Sequence, residues 1–443
     1  MSEPRRLPVL VAGVALLGAA AGVAGTSGNS GNSRGDVPAG TAPRAALSST
    51  WSCAGATAGR GSLAPGELLI DNAGTSALTG AVRLTAQDGA ARQLPVLVPA
   101  GQQVVLRETF PGAADGEWAG AMVNVYGGMG SVYQEVSTQH GTSTEPCLTD
   151  AQPEWHFAGG SVLSNAALEI SLVNPYAAAA VVDVSFATNE GAEAPLAFQG
   201  VVVPPRGLTV LNVASALRQR ADVATSVVAQ TGRVVAWETQ RVNPAGRFTS
   251  PLNPALPVPG VALSPGLPVA RDWSWASGQE GAGTTEAYEV YNPGTAPARA
   301  ELELLPGGKG TGSTYTFTVG PSSVARVTTN GQPWALPAVA YAVHLTSSVP
   351  VVAERSVYVA GRGIALLPGE QRAWRAWLVA PAPEEEVFSP SGGAVALYDR
   401  KVRVAGTDLA AGEHAAVAVP TSGALEVTGS SPVFLQGPAV PLG

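Results

Sequence analysis

Lysine is almost missing from this chain of 443 residues: Lys309 and Lys401 are its only two, and Lys+Arg number 25 against 33 Asp+Glu, for a net charge of −8. No basic cluster follows the N-terminus, so the phosphate-neutralising charge that dominates nucleic-acid binding is lacking and nucleic acid is excluded as a partner. Arginine in place of lysine reads as the codon bias of a GC-rich genome. Cysteine is as scarce, with Cys53 and Cys147 alone and no CxxC pair for redox chemistry. The four histidines (His140, His156, His344, His414) are scattered, with no carboxylate or cysteine at ligand spacing. HExxH, zinc-ribbon and EF-hand patterns are absent, as are the GxSxG elbow, SxxK and the glycine loop ending in Lys-Ser/Thr. The sequence therefore assigns no catalytic, cofactor-binding or metal-binding residue, and the expectation is a protein without enzymatic activity.

What the chain has is repetition, which bounds the fold before any local reading does. A tryptophan opens each of four blocks: Trp51 (WSCAGA), Trp155 (WHFAGG), Trp273 (WSWASG) and Trp374 (WRAWLV). In three of them an apolar run enters an Asn-led turn, LLIDNAG, SLVNPYA and EVYNPGT, with Asn72, Asn174 and Asn292 in register. An alternating segment follows (AVRLTA, VVDVSF, AELELL), and each block closes on a valine-rich run ending in Glu: GSVYQEV, GRVVAWETQ, VPVVAERSV. The period, about 100–120 residues, is that of a domain and about twice that of a propeller blade.

In the first block, strand-like runs lie near 52–57, 66–71, 80–87, 92–98, 102–108, 119–126 and 130–138. Seven short strands punctuated by Gly, Pro and Asn are the number expected of an immunoglobulin-like sandwich. Val82 and Leu84 alternate with Arg83 and Thr85, and Leu302 and Leu304 with Glu301 and Glu303, so one face of each strand is buried and the other wet. The predicted fold is all-β, tandem immunoglobulin-like β-sandwich repeats behind an N-terminal apolar helix. The expected divisions are a first repeat at 48–150, a second at 151–242, a Pro-rich connector or edge segment at 243–271, a third repeat at 272–368 and a partial fourth at 369–443. A partial terminal repeat completes or caps the block before it. The only helix-like stretch in the blocks is Val213–Arg220.

Ahead of the repeats, Arg5 and Arg6 precede the apolar run Leu7–Ala24. Residues 1–25 thus read as a membrane anchor with the bulk outside, or as a signal peptide cut near Gly22-Val23-Ala24. The usual sequence after a twin-arginine pair is missing. Residues 26–47 read as a flexible tether. Export agrees with the even cysteine count, which reads as a Cys53–Cys147 disulfide.

The recurring Glu135, Glu238 and Glu354, with Gln436 in the fourth block, are the most tempting acidic set. Glycosidases need two carboxylates across one cleft; equivalent positions in duplicated domains are expected to be structural instead, pairing with Arg241 or Arg355. Glu384-Glu385-Glu386 reads as a solvated loop. Trp51, Trp155, Trp273 and Trp374 are expected to plug cores, whereas Trp118, Trp275, Trp334 and Trp377 are less constrained.

The segments WHFAGGS, LEISLVNPYAAAAVVDVSF, GVVVPPRGLTVLNV and VVAQTGRVVAWETQ resemble a family of uncharacterised actinobacterial envelope proteins, a domain of unknown function. The resemblance covers roughly 51–443 and is strongest over 155–242. It implies an N-terminal membrane segment, a repeated β-rich exterior and, typically, a gene beside that of a large membrane glycosyltransferase. The family assigns no catalytic or binding residues, so none carry over. The tether here is shorter than the long polar inserts of other members, which shortens the reach from the membrane. The expected function is a non-catalytic structural or scaffold module of the cell surface, with the membrane and an envelope glycan or the glycosyltransferase as partners. A carbohydrate-binding module for envelope glycans is the alternative, and a β-sandwich hydrolase a distant third.

Overall fold

The chain is described by a computed structural model that covers residue 42 and residues 44–58, 64–110, 116–243, 256–279, 281, 283–306, 311–336, 340–381, 394–396, 402–404, 407–409, 414–416, 424–436 and 439–442. The apolar segment 1–25, the tether as far as residue 41 and Glu384-Glu385-Glu386 lie outside these residues. Within them the fold is all-β, in several sheets. No helix among them is long and apolar enough to cross a membrane. The helix expected at Val213–Arg220 is a single 3₁₀ turn, Val213–Ser215. It stops because Gln219 takes a positive φ of 55° and its N–H donates to the Val162 carbonyl, which diverts the backbone.

The first block runs β1 (Ser48–Thr57), β2 (Gly66–Asn72), β3 (Leu78–Ala86), β4 (Ala91–Val98), β5 (Gln103–Arg107), β6 (Trp118–Tyr126), β7 (Gly130–Thr138) and β8 (Gly141–Pro146). Its sheets have the orders β1-β6-β3-β4 and β5-β2-β7-β8. The second runs β9 (Glu154–Phe157), β10 (Ala166–Val173), β11 (Ala180–Thr188), β12 (Gly191–Glu193), β13 (Val201–Val203), β14 (Leu208–Asn212), β15 (Val223–Thr231), β16 (Val235–Val242) and β17 (Gly260–Pro265). Its orders, β9-β15-β11-β12 and β14-β10-β16-β17, repeat the pattern.

The third block runs β18 (Ala270–Gln279), β19 (Thr284–Asn292), β20 (Ala298–Pro306), β21 (Ser313–Val319), β22 (Ser323–Thr328), β23 (Ala340–Val359) and β24 (Gly363–Pro368). Here β23 serves both sheets, pairing β18 and β20 with its first half and β19 and β24 with its second. The two strands it replaces are separated in the first block by Gly127 and Met129, and in the second by Gly232, all at positive φ. No residue of Thr346–Pro350 takes that conformation, so the strand runs on.

The eighth strand in each block was not legible as a strand. In β8 the buried residues are Thr142, Ser143 and Thr144, which carry no apolar alternation. β17 lies inside the expected Pro-rich connector and forms the edge-segment option, paired to β16 from Val242–Gly260 to Trp237–Pro265.

Two side chains explain why the blocks repeat as they do. The Asn72 amide donates to the carbonyls of Ser76, Val98 and Pro99 and accepts from Gly74 N–H. Asn292 does the same with Ala296, Val319, Gly320 and Gly294. Asn174 bonds Ala178, Val203 and Tyr176. One side chain thus ties the turn after the second strand to the end of the fourth, satisfying carbonyls that burial would otherwise strand. Trp51, Trp155 and Trp273 are at most 2% exposed and sit among side chains of both sheets. The Trp155 and Trp273 indoles donate to Val234 and Val351 carbonyls. In the fourth block Trp377 takes this role, fully buried and bonded to Val433 O, and Trp374 is only half-buried under Arg372.

One residue past each Trp, a bridge ties the first strand to the segment just after the eighth: Ser52–Leu148, His156–Leu267 and Ser274–Glu370. In the first block a disulfide joins Cys53 to Cys147 at this place, with Cα atoms 4.9 Å apart.

The partial fourth block comprises β25 (Trp374–Val379), β26 (Ala394–Ala396), β27 (Val402–Val404), β28 (Thr407–Leu409), β29 (His414–Ala416), β30 (Leu425–Gln436) and β31 (Ala439–Pro441). It touches β18 of the third block. The alternating face Ala376, Leu378, Ala380, together with Leu442, packs into the first block's core beside Trp51 and Tyr133. Arg44 pairs with Glu426 on the same side. The block expected to complete or cap its predecessor thus meets it at β18, and its small-large-small face also closes on the first block.

The Cys53→Ser/Cys147→Ser double variant should lose about 4–5 kcal/mol of first-block stability, by the loop-entropy model for a bridge spanning 94 residues. Denaturant titration under oxidising conditions checks this.

Candidate functional site

The seams between blocks hold most of the buried chemistry. At the first seam β1 bulges at Gly55, whose φ is +110°. Thr239 Oγ1 donates to the Gly55 carbonyl at 2.9 Å, and a Cβ on Gly55 would lie 2.7 Å from that hydroxyl oxygen. Only glycine admits both the conformation and the approach. Ala54, Ala56 and Trp118 of the first block share a core with Ile170, Trp237 and Leu263 of the second. Arg241 stacks 5.8 Å from the Trp118 ring centroid while pairing with Glu169.

The second seam gathers polar side chains that no motif announced. Glu354, on β23, reaches the second block, where its carboxylate accepts N–H bonds from Ala158 and from Gly159 (2.7 Å) and a hydroxyl bond from Ser264. Glu289, on β19, accepts from Arg326 at 2.7 Å and from Ser356 at 2.8 Å; Arg326 also faces Asp222 of the second block at 3.7 Å. His156 bridges Glu154 (Nε2–Oε1 3.1 Å) and Ser226 (Nδ1–Oγ 2.8 Å), and Ser226 meets the Tyr291 hydroxyl of the third block at 2.8 Å. His156, Ser226 and Tyr291 are 1%, 5% and 4% exposed and lie inside the seam, whereas the Glu154 carboxylate at the end of the chain is exposed.

Of the recurring glutamates, the structure brings Glu238 and Glu354 together and leaves Glu135 in the first block beside Ser137 and Thr144. Their expected arginine partners are corrected: Arg241 pairs with Glu169 and Arg355 with Glu286, because Glu238 and Glu354 point to the seam and the arginines to opposite sheet faces. Both glutamates are fully buried, so no sugar ring reaches them in this closed arrangement. Among the described residues no three or more His, Cys, Asp or Glu stand in a metal-holding group. None of the nine tryptophans is exposed; Trp334 is half-buried in a stack with Tyr315, ring centroids 4.7 Å apart.

Burial shapes the protonation of this core. It lifts Asp71 to about 7, against a hydrogen bond from Gln103, and Glu108 to about 8, against one from Gln134. Glu289 is lifted to about 7 although Arg326 pulls the other way. Each carboxyl holds its proton more tightly folded than unfolded. Its stabilising share is complete below the unfolded values, 3.8 for Asp and 4.5 for Glu, and is lost as pH rises toward 7–8.

Two outcomes follow. The melting temperature should fall between pH 5 and pH 8, and Glu108→Gln should flatten part of that fall in a pH series of thermal melts. Glu354→Ala strands two backbone N–H groups and a hydroxyl, and should cost about 3–5 kcal/mol in denaturant unfolding.

Comparison with known proteins gives little to set beside this geometry. No curated protein matches. One solved structure, the Streptomyces avermitilis alpha-L-rhamnosidase complexed with L-rhamnose, is 10% identical with a TM-score of 0.13. The alignment covers 78% of this chain and 48% of that one, so the chain spans about half the rhamnosidase's length, and a likeness at this level carries no argument. A family model matches residues 112–428, most of the chain. The protein belongs to DUF5719, a family of unknown function.

Proposed function

We propose that this chain is a non-catalytic exported protein of the actinobacterial cell envelope, a rigid scaffold of immunoglobulin-like blocks outside the membrane. The carrying observation is that consecutive blocks meet over buried hydrogen-bonded seams, with Glu354 of the third block completing backbone of the second. A flexible string of binding modules has no need of such seams, whereas a spacer or platform that must hold its shape does. The disulfide supports export to an oxidising compartment. Arg5-Arg6 and the apolar run Leu7–Ala24 support an anchor, or release if the segment is cleaved.

The partner favoured by this reading is a membrane glycosyltransferase or the envelope glycan it builds. Binding of the glycan itself is the second reading. Its best feature is the half-buried stack of Tyr315, Phe317 and Trp334, since aromatic rings can pack on sugar rings. The absence of an exposed tryptophan favours the scaffold.

Affinity capture with the full-length chain, against fractionated envelope glycans and solubilised membrane proteins of its host, tests the proposal. Recovery of a membrane glycosyltransferase is the expected result. Retention of a defined glycan by the chain alone, lost in Trp334→Ala, would replace the scaffold with a carbohydrate-binding module.

A further inference from the structure

The three blocks place different chemistry at one equivalent position. Four residues before its turn asparagine, each block pairs its second strand with its seventh: Leu68 with Gln134, Ile170 with Glu238, Tyr288 with Arg355. All three seventh-strand side chains are buried. In the first block Gln134 donates to Glu108 at 2.7 Å, and in the third Arg355 pairs with Glu286 at 2.6 Å. Glu286 stands six residues before its asparagine, and Glu108 bonds the backbone of the matching Gly66. In the second block those two places hold Leu168 and Val213, both apolar. Glu238 therefore has no partner inside its own block, and neither of its oxygens has one anywhere among the described residues.

What faces Glu238 is the seam. From β23 comes Glu354, from β19 Glu289, and from the loop after β9 the backbone of Gly160, whose Cβ, if present, would lie 3.3 Å from Glu238 Oε1. Ser264, opposite Glu238 on β17, is committed to Glu354. The nearby cation, Arg326 of β22, is engaged with Glu289 and Asp222. Glu169 and Arg241 pair with each other on the other face of the second block's sheet.

We propose that Glu238 is a proton-operated latch between the second and third blocks: neutral, it lets the seam close, and ionised, it drives the seam open. Three carboxyl groups meet there; Glu354 and Glu289 each receive hydrogen bonds from nearby donors, and Glu238 receives none. A charge on Glu238 in this buried space has nothing to neutralise it. Burial, reinforced by Glu354 and Glu289, raises Glu238 well above the usual carboxylate range. The seam should therefore be tightest in acid and loosen as pH climbs. That device goes beyond a scaffold role and is independent of which partner the scaffold serves.

Hydrogen exchange on the full-length chain between pH 5 and pH 8.5 tests this, with protection corrected for intrinsic exchange chemistry. The reporters are the Ala158 and Gly159 amides, which donate to Glu354 across the seam, with the Val123 amide of β6 as a first-block reference. In the wild type, seam protection should fall with pH by up to about tenfold per unit, more steeply than at Val123. Glu238→Gln, which keeps the shape of the neutral acid, should remove the excess slope. Equal slopes at the seam in the wild type and the variant overturn the latch. Should the variant fail to fold, seam protection in the wild type that tracks Val123 across the range overturns it equally.

Discussion

A carboxylate from one block that completes the backbone of another is the constraint around which this molecule is arranged. Glu354 accepts from Ala158 and Gly159, residues just past β9, and so fixes where the third block stands on the second. Two backbone donors and the Ser264 hydroxyl supply directed bonds in a fully buried site, where losing any one of them costs more than its presence gains. Apolar contact alone would let sheets slide. The same logic, in weaker form, holds the first seam, where Thr239 bonds the carbonyl of a glycine that could be nothing else.

The parts that repeat were legible in the sequence. Asn72, Asn174 and Asn292 announce the turn because an amide side chain can bond its own backbone two residues on, and the structure adds that each also holds the end of the fourth strand. Trp51, Trp155 and Trp273 were readable as core plugs because a large side chain recurring once per domain has few other places to go. The fourth tryptophan was misplaced by three residues, since WRAWLV offers two and only strand register distinguishes Trp377 from Trp374. The eighth strands escaped because β8 buries threonine and serine, and β17 was hidden among prolines. The seam escaped for a deeper reason. Burial of Glu238 depends on strands that bring Glu289 and Glu354 from 51 and 116 residues away, and no local pattern encodes that.

The strand register corrects the expected equivalence of Glu135, Glu238 and Glu354. They pair with Glu67, Ile170 and Glu289, five, four and three residues before the turn asparagines, so the equivalent residues are Gln134, Glu238 and Arg355. That one position is answered by Glu108 in the first block and Glu286 in the third, and left unanswered in the second. Inside each block the polar position is a matter of stability. At the second seam it becomes a matter of how two blocks meet, so whatever the protonation state of Glu238 does is felt by the array and not by one core. On the proposed placement outside the cell, the array meets pH changes directly, which gives that position a physical consequence whatever surface the array presents.

The most direct test of a fixed array is a distance distribution across the second seam. Spin labels at Leu196→Cys in the second block and Glu301→Cys in the third, both exposed and away from the buried contacts, report it by pulsed electron resonance on the full-length chain. A single narrow distribution at pH 5 is the expected result. A broad distribution at that pH, as from blocks on a flexible string, would contradict the account.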